Sequence, residues 1–252
     1  IEGAPLVLGE DEARALFGTI VGPHRLRAEA ADADRVLAGC GSLPLAVRIA
    51  GARLANRPGW TVGTLADLLH DERGRLDQLQ AGEMEVRASA ELSYRHLPES
   101  AATAFRAFGQ LPDEPVTGWL VAVSMGRAHD AAGELDTLLD EHLIEVVGTD
   151  RLGLPRYRMH DLLRCYAREL AETDARPVRR ERQLKVIETL TALARTANEA
   201  MPTRFFGVLA GPVRPVGPAA ALSRTVRAQP VEWFETERRI LVAAVESAVR
   251  LG

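Results

Sequence analysis

Transfer of a nucleotide phosphate by a P-loop enzyme requires the pattern G-x-x-x-x-G-K-S/T, whose lysine reaches the β- and γ-phosphates. The only lysine in the chain, Lys185, sits in Glu181-Arg182-Gln183-Leu184-Lys185 with no glycine nearby, so no P-loop is present. His24, His70, His96, His129 and His142 show no metal-ligand spacing with cysteines or acids. Cys40 and Cys165 are too few for a disulfide framework and read as reduced thiols. There is no G-x-S-x-G nucleophile elbow, and the pair Asp71-Glu72 reads as a solvated helix end. The chain is therefore expected not to be an enzyme by itself, and no catalytic or metal-binding residue is assigned.

The bulk numbers fit that picture. With 252 residues, 46% hydrophobic and 26% charged, the chain has the composition of a soluble globular protein of two or three small domains. No apolar stretch reaches membrane-span length, and a cytoplasmic location is expected. A net charge of −4 argues against a general nucleic-acid binder. The start Ile1-Glu2-Gly3 and the end Leu251-Gly252 read as the ends of a segment of a longer protein.

Helical periodicity dominates the elements that would position any site. Ala13, Leu16, Phe17 and Ile20 form one stripe, and Val36, Leu37 and Cys40 continue a second helix that stops at Gly41. Ser42 is the expected N-cap of the next helix, with Pro44 in its first turn. The run Leu43 to Leu54 is apolar nearly all round and should be central. Thr64 with Asp67 resembles a capping box. Short helices are expected at 84–97, 98–109, 115–125 and 130–142. Leu143 to Val147 and Arg156 to Met159 then flank a turn-rich connection, which predicts a hairpin. A helix from about Asp161 to Glu172 follows, and helices before a β-hairpin are the order of a winged-helix domain. Beyond Arg176 another helix carries Ile187, Leu190, Ala194, Ala197 and Met201 on one face. The proline- and glycine-rich stretch 202–230 reads as a loop, and a last helix sets Phe234, Leu241, Val245 and Ala248 on one side. The fold class is mainly α: a helical bundle over 1–82, a winged-helix domain over 83–175, and C-terminal helices over 176–252.

Two segments carry a family resemblance. Cys40-Gly41-Ser42-Leu43-Pro44-Leu45-Ala46 resembles the G-L-P-L-A motif of the NB-ARC domains of STAND signalling ATPases, and Tyr157-Arg158-Met159-His160-Asp161-Leu162-Leu163-Arg164 resembles their M-H-D motif. Arg75 to Leu79 and Leu92-Ser93-Tyr94-Arg95-His96-Leu97-Pro98 are similar to the actinobacterial branch, which includes AfsR-like, SARP-type transcriptional regulators. Trp233-Phe234-Glu235-Thr236-Glu237-Arg238 resembles the entry to a tetratricopeptide (TPR) array. Ser42 departs from the pattern, standing where a second glycine is common.

The resemblance implies that Pro44 packs on adenine and that His160 contacts the β-phosphate of ADP, both only together with a P-loop domain. Imidazole suits such a role, since it offers an N–H to phosphate and its charge is adjustable near neutral pH. Asp161 reads as an N-cap rather than a phosphate ligand, because two anions repel. ADP or ATP would be the cofactor of the parent protein, with none expected in this chain alone. Implied partners are the chain's own P-loop domain and sensor repeats, with oligomerisation on activation. The helix before the hairpin, about Asp130 to His142, carries Asp130, Glu134, Asp136, Asp140 and Glu141 and no arginine or lysine, which argues against duplex DNA in that position. Arg179, Arg180 and Arg182 form the one dense basic run and read as a solvated helix start. A regulatory switch segment, a winged-helix DNA binder and an interaction scaffold stay open at this point.

Overall fold

A computed structural model describes residues 7–75, 83–127, 130–201 and 218–251. The expectations for the side chains of Asp71 and Glu72, for 76–79, for His129 and for 202–217 lie outside the described residues. The chain is mainly helical with one small antiparallel sheet, as the periodicity predicts, and divides into two compact units.

The first unit comprises residues 1–102, 137–143 and 160–166. It contains α1 (Glu10–Val21), α2 (Pro23–Ala28), α3 (Ala30–Gly39), α4 (Pro44–Ala55), α5 (Val62–Arg75) and α6 (Glu83–Tyr94). The apolar α4 packs against α1, α5 and α6, and its Val47, Ile49 and Leu54 are fully buried. Arg25 closes its C-terminal end, donating to Leu54 O in the last turn at 2.9 Å and to Arg57 O just past the cap at 3.3 Å. A cation there also complements the helix dipole.

Two helix starts differ from expectation. The end of α3 is a Schellman turn: Ser42 N–H donates to Leu37 O at 3.2 Å and Gly41 N–H to Ala38 O at 3.1 Å. Gly41 has φ +57° and Ser42 φ +52°, so Ser42 closes one helix and does not cap the next. Leu43 is the N-cap of α4, without a side-chain bond, and Pro44 takes the first position, where no N–H is needed. At α5 the cap is Thr61, whose Oγ1 accepts the Thr64 N–H at 3.0 Å; Thr64 is the third helical residue.

The second unit comprises residues 103–136, 144–159 and 167–252. Its elements run α7 (Glu99–Gln110), β1 (Val116–Thr117), α8 (Gly118–Ser124), α9 (Ala132–Asp140), β2 (Glu145–Thr149), β3 (Pro155–Arg158), α10 (Asp161–Glu172), α11 (Arg176–Ala200), α12 (Pro218–Ala228) and α13 (Pro230–Leu251). Helices α7, α9 and α10 contribute residues to both units. The strand order β1-β3-β2, with Val116 opposite Tyr157 and Val146 opposite Tyr157, completes a winged-helix-like sheet. Residues 116–117, expected in a helix, are therefore a strand. The wing turns on Asp150, whose Oδ1 accepts the N–H groups of Leu152 at 2.8 Å and Leu154 at 2.9 Å, while Gly153 supplies φ +80°.

The reading of 202–230 as one loop is corrected over 218–228. Pro218 starts α12, and Ala219, Leu222 and Val226 are buried at helical spacing. In α13 the buried face is Trp233, Glu237, Ile240 and Ala244, not Phe234, Leu241, Val245 and Ala248. The expected face had no place for a buried carboxylate.

Candidate functional site

Pro44 and His160 both belong to the first unit and both stand at helix starts. Pro44 is half-buried at the head of α4, in a turn tied down where Leu8 N–H donates to Ser42 O at 3.0 Å. His160 is exposed and is the N-cap of α10: its Nδ1 accepts the Leu162 N–H at 3.3 Å, and its carbonyl accepts the Arg164 N–H at 2.9 Å. Asp161, expected to be the cap, is instead the first helical residue, where its charge complements the dipole. An acceptor Nδ1 puts the proton of the neutral ring on Nε2. His160 therefore combines a structural cap on one nitrogen with a donor on the other.

A buried polar cluster lies in the same unit, and the sequence did not announce it. Arg53 is fully buried within α4. Its Nη2 lies 2.8 Å from His96 Nδ1, and its guanidinium sits 4.9 Å from the Trp60 ring centroid, while Arg57 covers the same ring at 5.2 Å. Nε and Nη1 of Arg53 have no hydrogen-bond partner. Burial, reinforced by the charge of Arg57 and opposed by Glu141, lowers the Arg53 pKa to about 10. Burial and then the Arg53 charge hold His96 below its ordinary value. Glu141 closes the cluster, accepting from Ser93 Oγ at 3.0 Å and facing Arg57 Nη1 at 3.5 Å. Tyr166 donates to Glu91 and stacks edge-on against Tyr94 at 6.0 Å, with Arg87 over its ring at 5.1 Å. Burial and that carboxylate push the Tyr166 hydroxyl far above the ordinary phenol range. The segment Leu92 to Pro98 thus supplies the buried Ser93, the half-buried Tyr94 and, at the exposed edge of the cluster, His96.

In the second unit Arg156 of β3 forks onto Glu237 of α13, with Nη2–Oε1 at 2.7 Å and Nη1–Oε2 at 3.2 Å. Its Nε also donates to Asp150 Oδ2 at 2.9 Å. Sequence spacing offered no signal for this pairing, which joins residues 81 positions apart. Among the described residues there is no group of histidines, cysteines or acids able to hold a metal ion, and no helix long and apolar enough to cross a membrane.

Comparison with known proteins gives this arrangement a setting. No protein-family model matches the chain. The chain is 38% identical over 261 residues to the regulatory protein AfsR of Streptomyces griseus, an alignment that takes in 98% of the chain. It is also 45% identical over 172 residues, 68% of the chain, to the regulatory protein AfsR of Streptomyces coelicolor. The matched segments make up 25% and 17% of those relatives, so the chain is similar to one portion of AfsR-like regulatory proteins several times its length.

Proposed function

We propose that this chain is the regulatory segment of a nucleotide-dependent switch in a transcriptional regulator, in which Pro44 and His160 meet ADP held by a P-loop domain of the same protein. The observation that carries this reading is the position of His160 as the N-cap of α10. Nδ1 is committed to the helix and Nε2–H is left to donate, beside backbone N–H groups whose dipole favours an anion. The half-buried Pro44, at the end of a turn fixed by the α3 Schellman bonds, offers a rigid apolar contact of the kind an adenine ring requires. The segment itself does no chemistry in this scheme. ADP holds the domains together, and exchange for ATP favours an open, oligomerising form. Sensor repeats are the further partner, and the setting is cytoplasmic.

Direct DNA reading by this segment is the weaker alternative. Helix α9, the recognition position of a winged helix, carries Glu134, Asp136 and Asp140 without an arginine or lysine, and phosphate would be repelled. An interaction scaffold without nucleotide remains the second reading, favoured by the exposed Val242, Val245 and Val249 of α13.

Calorimetry with ADP on a longer chain that includes the preceding domain tests the proposal. His160→Asn keeps a helix-capping side chain and loses the imidazole. It should weaken ADP by about tenfold or more, the worth of a charge-assisted hydrogen bond, without lowering the melting temperature. Unchanged ADP affinity in this variant would remove His160 from the site and leave the scaffold reading in front.

A further inference from the structure

The second unit holds an open groove of about 980 Å³ whose polar lining is dominated by arginine. Arg176, Arg179 and Arg180 enter it from the start of α11, Arg168 from α10, and Arg238, Arg239 and Arg250 from α13. These seven guanidinium groups meet four lining carboxylates, Asp113, Glu114, Glu172 and Glu246. Glu114 already faces Arg239 at 3.3 Å, and Arg250 donates to Ser247 Oγ at 3.0 Å. Among the described residues Arg176, Arg179 and Arg238 have no acidic partner. The groove is thus a cationic concavity inside a chain whose net charge is −4.

The local charge arrangement is costly for the empty protein. Helix α11 has 25 residues, its N-cap Ala175 has no side chain to accept a bond, and its first turn holds no acid. The positive end of a helix is where arginine is least favourable, yet Arg176 and Arg179 fall in that first turn. Asp174, just ahead of the helix, is engaged by Arg182 and lies 3.5 Å from Arg106. An anion in the groove relieves repulsion among the arginines and complements the dipole together.

The chemistry of the lining narrows the ligand. Guanidinium forks bind phosphate oxygens two at a time, and arginines from three helices converge on one space. Among the described residues no aromatic side chain lines the groove, so a nucleic-acid base finds no ring to stack on. The volume is that of a small-molecule site rather than a macromolecular face. We propose that this groove binds a small ligand carrying two or more phosphate groups, either inorganic polyphosphate or a phosphorylated organic carrier.

Titration calorimetry and thermal melts of the 252-residue chain with inorganic tripolyphosphate, and separately with a hexose bisphosphate, test it. Saturable binding of either compound with a raised melting temperature is expected, and the tighter of the two identifies the source. The double variant Arg179→Gln with Arg238→Gln should weaken binding by about tenfold or more. Arg14→Gln, in the other unit, and His160→Asn should leave it unchanged, which separates this site from the nucleotide reading. Absence of saturable binding overturns the proposal, as does an equal response to sulfate at matched ionic strength, the mark of an adventitious ion only. Tighter binding of a polyglutamate peptide also overturns it, in favour of an acidic docking segment.

Discussion

Arg156 serves two buried carboxylates at once, forking onto Glu237 while its Nε meets Asp150. Glu237 is 1% exposed, and burial pushes its carboxyl above the usual range against the pull of Arg156. Removing one member of such a set leaves an uncompensated charge in the interior. Glu237→Ala should therefore cost about 3 kcal/mol, and Arg156→Met, which strands two carboxylates, about 5 kcal/mol, both by denaturant unfolding. The double variant Arg156→Met with Glu237→Met should recover the Glu237 share of the loss, because apolar residues replace that buried pair at little net cost, while Asp150 keeps only its backbone donors at Leu152 and Leu154. A double variant as unstable as Arg156→Met alone would show that shape, not charge pairing, governs the contact. At this scale the sequence offered Pro44 and His160 only through motif resemblance, and it gave no sign of Arg53, Arg156 or Glu237, since nothing local marks a charged residue as buried when its partner lies far along the chain.

Helix packing in the second unit depends on one glycine. A Cβ built at Gly109 of α7 would meet Ala167 C and Arg168 N of α10 at 2.6 Å, both of them backbone atoms. The backbone cannot swing aside as a side chain tip can, so the helices would have to separate, and the 3.0 Å bond from Arg168 Nε to Gly109 O would stretch. Alanine gains up to about 1 kcal/mol of helix propensity over glycine, but overpacking costs about 1–3 kcal/mol, and the second effect wins here. Gly109→Ala should lower the melting temperature. The opposite result would mean that α7 and α10 can part freely. Elements of long period, such as α1, α4 and α11, were legible because their burial is carried by many apolar residues. The two-residue strand β1 was not, since Val116 and Thr117 are too few to show a period and owe their pairing to β3. Helix α12 was hidden by the prolines around it, although Pro218 occupies the one helical turn that tolerates proline. The caps at Thr61 and His160 each lay within a few residues of the expected ones, because several polar residues near a helix start compete and only the backbone decides.

Stability as a function of pH belongs to the whole chain, and its two units should respond in opposite directions. In the first unit His96 and His142 are both held below their ordinary value near 6.5, burial being the first cause, with Arg53 acting on His96 and Arg48 on His142. Below about pH 6.5 the unfolded chain then binds more protons at these positions than the folded one. The stability they contribute is fully present above that value and is lost as pH falls through the lowered folded values. Glu237 in the second unit is raised instead, so its folded form holds the extra proton. Its contribution is present below the ordinary carboxylate value and is lost as pH rises through the raised one. Acid should accordingly loosen the first unit before the second. Trp60, against Arg53, Arg57 and edge-on to His96 at 6.1 Å, reports on the first unit, and the fully buried Trp233 reports on the second. Single-tryptophan variants followed by fluorescence should show Trp60 unfolding at a lower temperature at about pH 5.5 than at about pH 7.5. His96→Gln with His142→Asn should flatten that difference, asparagine being suited to the left-handed backbone at position 142, where φ is +53°. A Trp60 transition that stays pH-independent in the parent chain would mean that the two histidines are solvated in both states. A Trp233 transition that falls alongside it would mean that the units unfold as one.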